Sequence, residues 1–233
     1  MRREPMRIGI LGTGALAEAL GTGWARAGHE LVVGGRSRAK AEALADRLGG
    51  GARAADPREV VTGRDAVLLA VLWSGVADVL RDVDAAAGTL AGTTLIDPTN
   101  AVEHGVGVLL TEPGTSAASQ IAAWAPGAHV VKAFHLFPAE RWAAPLPGGE
   151  NGTADATVTI CGDDAGALRI TGELIRDVGG TPAVLGPLER ARQLEEAAGF
   201  VIGLAFAGFD PSSAIPRVPT QDPQSPSRDG STT

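Results

Sequence analysis

The stretch Arg7-Ile8-Gly9-Ile10-Leu11-Gly12-Thr13-Gly14-Ala15-Leu16-Ala17 constrains the fold more than any other. Ile8, Ile10 and Leu11 read as a short buried strand that breaks into Gly12-x-Gly14-x-x-Ala17, with a helical pattern following. Gly12 permits the tight turn, Gly14 lets a backbone approach a pyrophosphate, and Ala17 keeps the helix close to the strand. The free N–H groups of that helix start then face an anion. The motif therefore predicts a dinucleotide lying over Gly12, Thr13, Gly14, Ala15 and Leu16. A glycine-rich turn that binds nothing is the plainer alternative.

The helix is predicted over Ala15–Ala27, with Leu16, Leu20 and Trp24 on one face, and Gly28 stops it. A second apolar run, Leu31-Val32-Val33, completes a strand–helix–strand unit of βαβ length. An NAD site usually carries an acid at the end of this strand, for the ribose 2′-hydroxyl. Here the sequence is Gly34-Gly35-Arg36-Ser37-Arg38-Ala39-Lys40, without an acid. Arg36, Arg38 and Lys40 offer charge, and Ser37 a hydroxyl, where a 2′-phosphate would sit. NADP is thus the expected cofactor, against a solvated basic first turn of the helix Arg38–Leu48.

Gly49-Gly50-Gly51 ends that helix, and Asp56-Pro57 opens a short helical piece. The continuous apolar run Ala66–Leu72 has no alternation, as in a parallel strand buried on both faces. Ligands bind at the carboxyl ends of such strands, so Val71, Leu72 and Trp73 join the expected cofactor residues. Thr93–Ile96 is another buried strand, ending in Asp97-Pro98-Thr99-Asn100. This polar cluster either lines a nicotinamide pocket, with Asn100 as a contact, or forms a turn capped by Asp97 and Asn100.

His104–Pro113 reads as loop, Thr115–Trp124 as helix and His129–Phe134 as strand. His135, Leu136, Phe137 and Pro138 follow at the strand's exit. A His there could hydrogen-bond a ring ligand or act as an acid, although a lone His is more often structural. Residues 145–152 form a Pro- and Gly-rich loop. Thr157–Cys161 is a strand by alternation, and Asp163-Asp164 caps the helix Ala165–Val178 rather than binding a metal. A short strand, Ala183–Leu185, precedes a long helix, Pro187–Ala207. The half Phe200–Phe206 is apolar all round, which calls for burial in the protein or in a subunit interface. Residues 211–233, rich in Pro, Ser, Gln, Asp and Arg, are expected to be a disordered tail.

The net charge of −7 argues against nucleic acid or an anionic membrane as main partner. The single cysteine, Cys161, excludes a disulfide framework and a cysteine metal cluster, and no metal site is expected. No apolar run approaches the length of a membrane span. A cytoplasmic location follows from these readings, with residues 1–5 as a dispensable leader.

With these landmarks in place, the chain resembles the F420-dependent NADP oxidoreductase family over about residues 6–208. The resemblance rests on Leu11-Gly12-Thr13-Gly14, Val33-Gly34-Gly35-Arg36-Ser37, Trp73, the run Ala133-Phe134-His135-Leu136-Phe137-Pro138-Ala139-Glu140-Arg141-Trp142, Cys161-Gly162-Asp163-Asp164 and Gly186-Pro187-Leu188. It implies that Thr13, Arg36 and Lys40 hold the 2′-phosphate end of NADP. It further implies that His135 and Phe137, flanked by Leu136 and Pro138, line a pocket for the deazaflavin coenzyme F420. The expected fold is α/β: a Rossmann-like doubly wound parallel sheet, residues 1–127, with a small C-terminal α/β domain, residues 128–210. Hydride transfer from NADP(H) needs placement and dryness more than acid–base groups, which suits a chain with no triad or paired carboxylates. His135 would orient the ring or stabilise charge on it. Alternatives are an NADPH-dependent reductase of a small imine or ketone, and a non-catalytic NADP-binding protein. The apolar last helix suggests a homodimer.

Overall fold

The computed structural model describes residues 4–143 and 156–216. The first strand, β1 (Arg7–Leu11), leads into α1 (Ala15–Ala27), β2 (Glu30–Gly34), α2 (Arg38–Leu48), the two-residue β3 (Arg53–Ala54) and α3 (Pro57–Val61). Then come β4 (Ala66–Leu69), α4 (Trp73–Asp82), β5 (Thr94–Asp97), α5 (Ala117–Trp124) and β6 (His129–Lys132). The remaining elements are α6 (Glu140–Ala143), β7 (Ala156–Gly162), α7 (Ala165–Asp177), β8 (Gly180–Gly186) and α8 (Ala191–Phe206).

All eight described strands form one sheet in the order β3-β2-β1-β4-β5-β6-β7-β8. The first six run parallel. The seventh runs antiparallel to β6, and β8 parallel to β7. Residues 128–210, set apart above as a second unit, thus extend the same ladder as the first.

Apolar runs without alternation arise because both faces of the sheet are covered. Ile8, Ile10, Leu31, Val33, Leu68, Ile96 and Val131 point into a core shared with α1, α2 and α7. Their neighbours Leu11, Val32, Val67, Leu69, Leu95 and Val130 point into a second core, closed by α3, α4, α5 and the start of α8. In the first core Trp24 is fully buried and spends its indole N–H on the carbonyl of Leu174, 2.9 Å away, which ties α1 to α7.

Local signals set several ends to the residue. Helix α1 stops at Gly28 in the left-handed region, φ 93°, and α2 starts behind Ser37, whose hydroxyl accepts from the Lys40 N–H. Ser116 and Ser119 close a reciprocal cap on α5. Asp164 accepts from Ala167 N–H at 2.7 Å, so it caps α7, while Asp163 holds the N–H of Leu188.

Elsewhere the structure corrects the expectation. The strand expected over Ala66–Leu72 ends at Leu69, because its neighbour β1 leaves the sheet after Leu11, the partner of Leu69. Trp73 consequently opens α4. The strand expected over His129–Phe134 ends at Lys132, and Phe134 turns the chain away with φ at +61°. Within this chain the second half of α8 is not buried: Phe200 is 51% and Phe206 58% exposed. Pro211–Ala214, at the start of the expected tail, make a short 3₁₀ turn. The rest of that tail beyond residue 216, the loop 145–152 and the first three residues lie outside the described residues.

Candidate functional site

The order of strands reverses between β1 and β4, whose following helices lie on opposite faces of the sheet. A crevice opens there, at the carboxyl ends of the strands. A cleft of about 350 Å³ occupies it, lined by Gly12, Thr13, Gly14, Gly35, Arg36, Ser37, Lys40, Ala70, Val71, Leu72, Ser74, Gly75, Asp78 and Val79. Eight residues singled out from the sequence meet here. Ala15 and Leu16 sit on the first turn of α1 without lining the cleft, and Trp73 turns outward to stack on Trp124, centroids 5.6 Å apart. Ala70, Ser74, Gly75, Asp78 and Val79 were missed: with the strand read through to Leu72, the turn into α4 was invisible.

The Gly12 turn fits the pyrophosphate reading. Gly12 has φ +130°, and a Cβ there would lie 2.0 Å from the carbonyl oxygen of Ala70, so only glycine is accommodated. Gly14 behaves in the opposite way: nothing lies within 4 Å of the Cβ it lacks, which leaves the approach to its backbone open. Gly14 is also the N-cap of α1 and supplies no side-chain cap, so the first-turn N–H groups of that helix face the opening unsatisfied.

The three basic residues after β2 separate in role. Arg38 bonds Glu42 at 2.8 Å and reaches Asp56 at 3.7 Å. Among the described residues, the exposed side chains of Arg36 and Lys40 enter no ion pair, and both line the cleft. The cleft thus carries two cations that enter no ion pair among the described residues, beside the Ser37 hydroxyl, which suits a phosphate; Asp78 is the acid on its lining.

A second group forms where β5 and β6 end. The Asn100 side-chain amide donates to the backbone carbonyl of His135 at 2.7 Å. Five buried side-chain polar atoms lack a partner among the described residues, and three of them belong here: Asn100 Oδ1 and both ring nitrogens of His135. An orphaned buried group of this kind costs about 1–3 kcal/mol, so three together make this a candidate place for a ligand. His135 is 6% exposed, and burial first and the Lys132 charge second push its pKa down to about 3. Its imidazole is therefore neutral at physiological pH. Leu136 and Phe137 follow half-buried and Pro138 exposed, with Phe137 edge-on to Trp142 at 5.7 Å.

Beneath this pair lies a charge cluster that sequence reasoning missed. The Lys132 ammonium is fully buried between Asp97, 3.0 Å away, and Glu195, 3.1 Å away, both fully buried as well. It also donates to the carbonyl of Thr99. Asp97 accepts from the Thr99 N–H at 2.8 Å and hydroxyl at 2.6 Å, which makes it the cap of its own turn. Glu195 accepts from the N–H groups of Ala117 and Ala118 at the start of α5. Among the described residues no three His, Cys, Asp or Glu side chains converge as for a metal. No described helix is long and apolar enough to cross a membrane.

The mostly parallel sheet, its glycine turn and the cations on the cleft define a fold of the dinucleotide-binding, Rossmann-like class. Residues 7–101 match the family described as NADP oxidoreductase, coenzyme F420-dependent. Over 193 residues the chain is 31% identical to the metalloreductase STEAP3 of Rattus norvegicus, covering 83% of this chain and 36% of that protein's length. The crystal structure of a putative F420-dependent NADP reductase from Arthrobacter sp. FB24 superposes with a TM-score of 0.73 at 25% identity, over 88% of this chain and 96% of that one. An imine reductase from Myxococcus stipitatus in complex with NADP⁺ shares the fold, with a TM-score of 0.64 at 21% identity, over 88% of this chain and 63% of its own. The match to that family is carried by residues 7–101, less than half of the chain, and the chain spans 36% of the length of the curated relative.

Proposed function

We propose that this protein passes a hydride between NADPH and the deazaflavin coenzyme F420. The observation that carries the reading is the pair Asn100–His135, with three partnerless polar atoms at the strand exits beside the dinucleotide cleft. Bound NADPH supplies the hydride. The N–H groups behind Gly14 hold its pyrophosphate, and Arg36, Lys40, Ser37 and Thr13 hold its 2′-phosphate. Asn100 Oδ1 takes a donor from the nicotinamide side, and His135 holds the acceptor ring against the apolar side chains of Leu136 and Phe137.

The neutral state of His135 favours this acceptor over a ketone. An imidazole whose pKa lies at about 3 donates or accepts a hydrogen bond but carries no extra proton to deliver at pH 7. Transfer between two ring carriers asks only for that: orientation, contact and exclusion of water.

Mixing the protein with NADPH and oxidised F420 and following the deazaflavin absorbance tests the reading. Catalytic bleaching is expected, with no NADPH consumed when a cyclic imine or a ketone replaces F420. NADPH oxidation by the imine or ketone, with the deazaflavin band unchanged, would contradict it.

The homodimer belongs to the same proposal. Phe200, Phe206, Phe209 and Ile215 are more than half exposed at the end of α8 and just past it, as are Val106, Val108 and Leu110 in the preceding loop region. His104 packs edge-on against Phe206 with centroids 4.9 Å apart, so loop and helix form one apolar face. A face of this kind fits a second copy of the chain. Light scattering that returns a monomer at micromolar concentration would overturn this part.

A further inference from the structure

The buried cluster Asp97–Lys132–Glu195 needs a reason beyond stability. Buried ion pairs can often be replaced by apolar side chains of similar volume without loss, so such a cluster is weak evidence of a stabilising role. Its wiring is more informative. Lys132 donates to Asp97 at the end of β5 and to the Thr99 carbonyl in the turn beyond it, and it forms an ion pair with Glu195 on α8. Asp97 holds the same turn from the other side through the Thr99 N–H and hydroxyl. The next residue is Asn100, whose side chain grips the backbone of His135, three residues beyond Lys132. The result is a closed ring of bonds: Lys132, Asp97, Thr99, Asn100, His135 and back along the chain to Lys132. The excess negative charge of two carboxylates and one ammonium is met by the positive end of α5, where Ala117 and Ala118 donate to Glu195.

From this wiring we infer that Lys132, held between Asp97 and Glu195, is the positioning residue of the nicotinamide end of the site. It fixes the Thr99–Asn100 turn so that Asn100 Oδ1 stands ready, and it touches neither cofactor nor acceptor itself. The inference deepens the function proposed above and rests on its reading of Asn100 as a nicotinamide contact.

The test separates the two ends of the cofactor by binding alone. The full chain is titrated with NADPH and with adenosine 2′,5′-bisphosphate, which carries the adenine end and the 2′-phosphate but no nicotinamide. Wild type is compared with Glu195→Gln, with the compensated pair Lys132→Met/Glu195→Gln, which leaves no carboxylate at position 195 facing an absent ammonium, and with Asn100→Ala. Folding of each is checked by circular dichroism. The expected result is a loss of about tenfold in NADPH affinity in the Glu195→Gln and paired variants, on the scale of one hydrogen bond, with bisphosphate affinity within about twofold of wild type. Equal losses for both ligands would reduce the cluster to a structural role and overturn the inference. So would a folded variant with no loss for either. Asn100→Ala then tells which layer failed. If it lowers NADPH affinity selectively while the cluster variants do not, the positioning role falls and the site reading stands. If Asn100→Ala has no selective effect either, the site reading falls with it.

Discussion

At the Gly12–Gly14 turn the chain offers backbone N–H groups and two unpaired cations to open space. At the exits of β5 and β6, by contrast, the charges are fully buried and paired, and among the described residues it is neutral atoms of Asn100 and His135 that lack partners there. The first region is suited to recognising an anion by exposure: a helix start, glycines and cations within reach of water. The second is suited to recognising a neutral ring by dryness, where an unmade hydrogen bond is expensive and a made one is specific. A hydride carrier needs both, because its phosphates are charged and its reacting ring is not.

The contrast can be broken most forcefully from the buried side. Lys132→Met leaves Asp97 and Glu195 without their ammonium, and the loss of stability in urea is expected to be about 3–5 kcal/mol. A loss under about 1 kcal/mol would mean that the cluster is hydrated and that the two regions differ less than argued. On the open side, Gly12→Ala pushes a Cβ onto the Ala70 carbonyl in a left-handed backbone, with an expected cost of about 2–3 kcal/mol in the same experiment. Its neighbour in role, Gly14, faces empty space, so Gly14→Ala should leave stability nearly unchanged and weaken NADPH binding instead.

Charge sharpens the comparison further. Arg36→Ala is expected to weaken NADPH binding by about 1.5–3 kcal/mol, read by fluorescence titration, and to leave NADH binding unaltered. Arg38→Ala, whose guanidinium is already engaged by Glu42, should change NADPH affinity by less than about twofold. Equal effects of the two would erase the distinction between a committed and a free cation.

The most gradual effect concerns pH. The folded pKa of His135, about 3, lies below the usual histidine value of 6.5. The unfolded chain therefore binds the extra proton first as pH falls, and this group's contribution to stability is present above about pH 6.5 and lost towards pH 3. The slope approaches about 1.4 kcal/mol per pH unit at most, and His135→Gln should flatten that limb of the stability curve. An unchanged limb would place the ring in water and remove the dry end of the comparison.

How much of this was legible in the sequence follows the same divide. The helices α1 and α2 were read to their last residue, because their periodicity and their stops at Gly28 and Gly49 are local. The glycine turn and the acid-free end of β2 are local as well, and the cleft they form has Gly12, Thr13, Gly14, Arg36, Ser37 and Lys40 on it, without Ala15 and Leu16. The strand β3 escaped because two residues, Arg53 and Ala54, carry no period. Residues Val71 and Leu72 were read as strand because apolar character continues past the point where β1 stops offering a partner. Glu195 is the clearest failure. It looks like any acid on a helix, and only the fold shows it capping a helix 78 residues away and pairing with Lys132. Asp97 was caught between two readings, pocket and turn; in the structure Asp97 caps the turn, and Asn100 Oδ1 is buried without a partner among the described residues.

The central claim is direct hydride transfer between two carriers held in one site. Its most direct measurement uses NADPH carrying deuterium on the transferring face of the nicotinamide, with F420 recovered and weighed by mass spectrometry. The account predicts that the label appears in the reduced deazaflavin and is not diluted by solvent protons. Unlabelled product, or labelled NADPH left unconsumed beside oxidised F420, would contradict it.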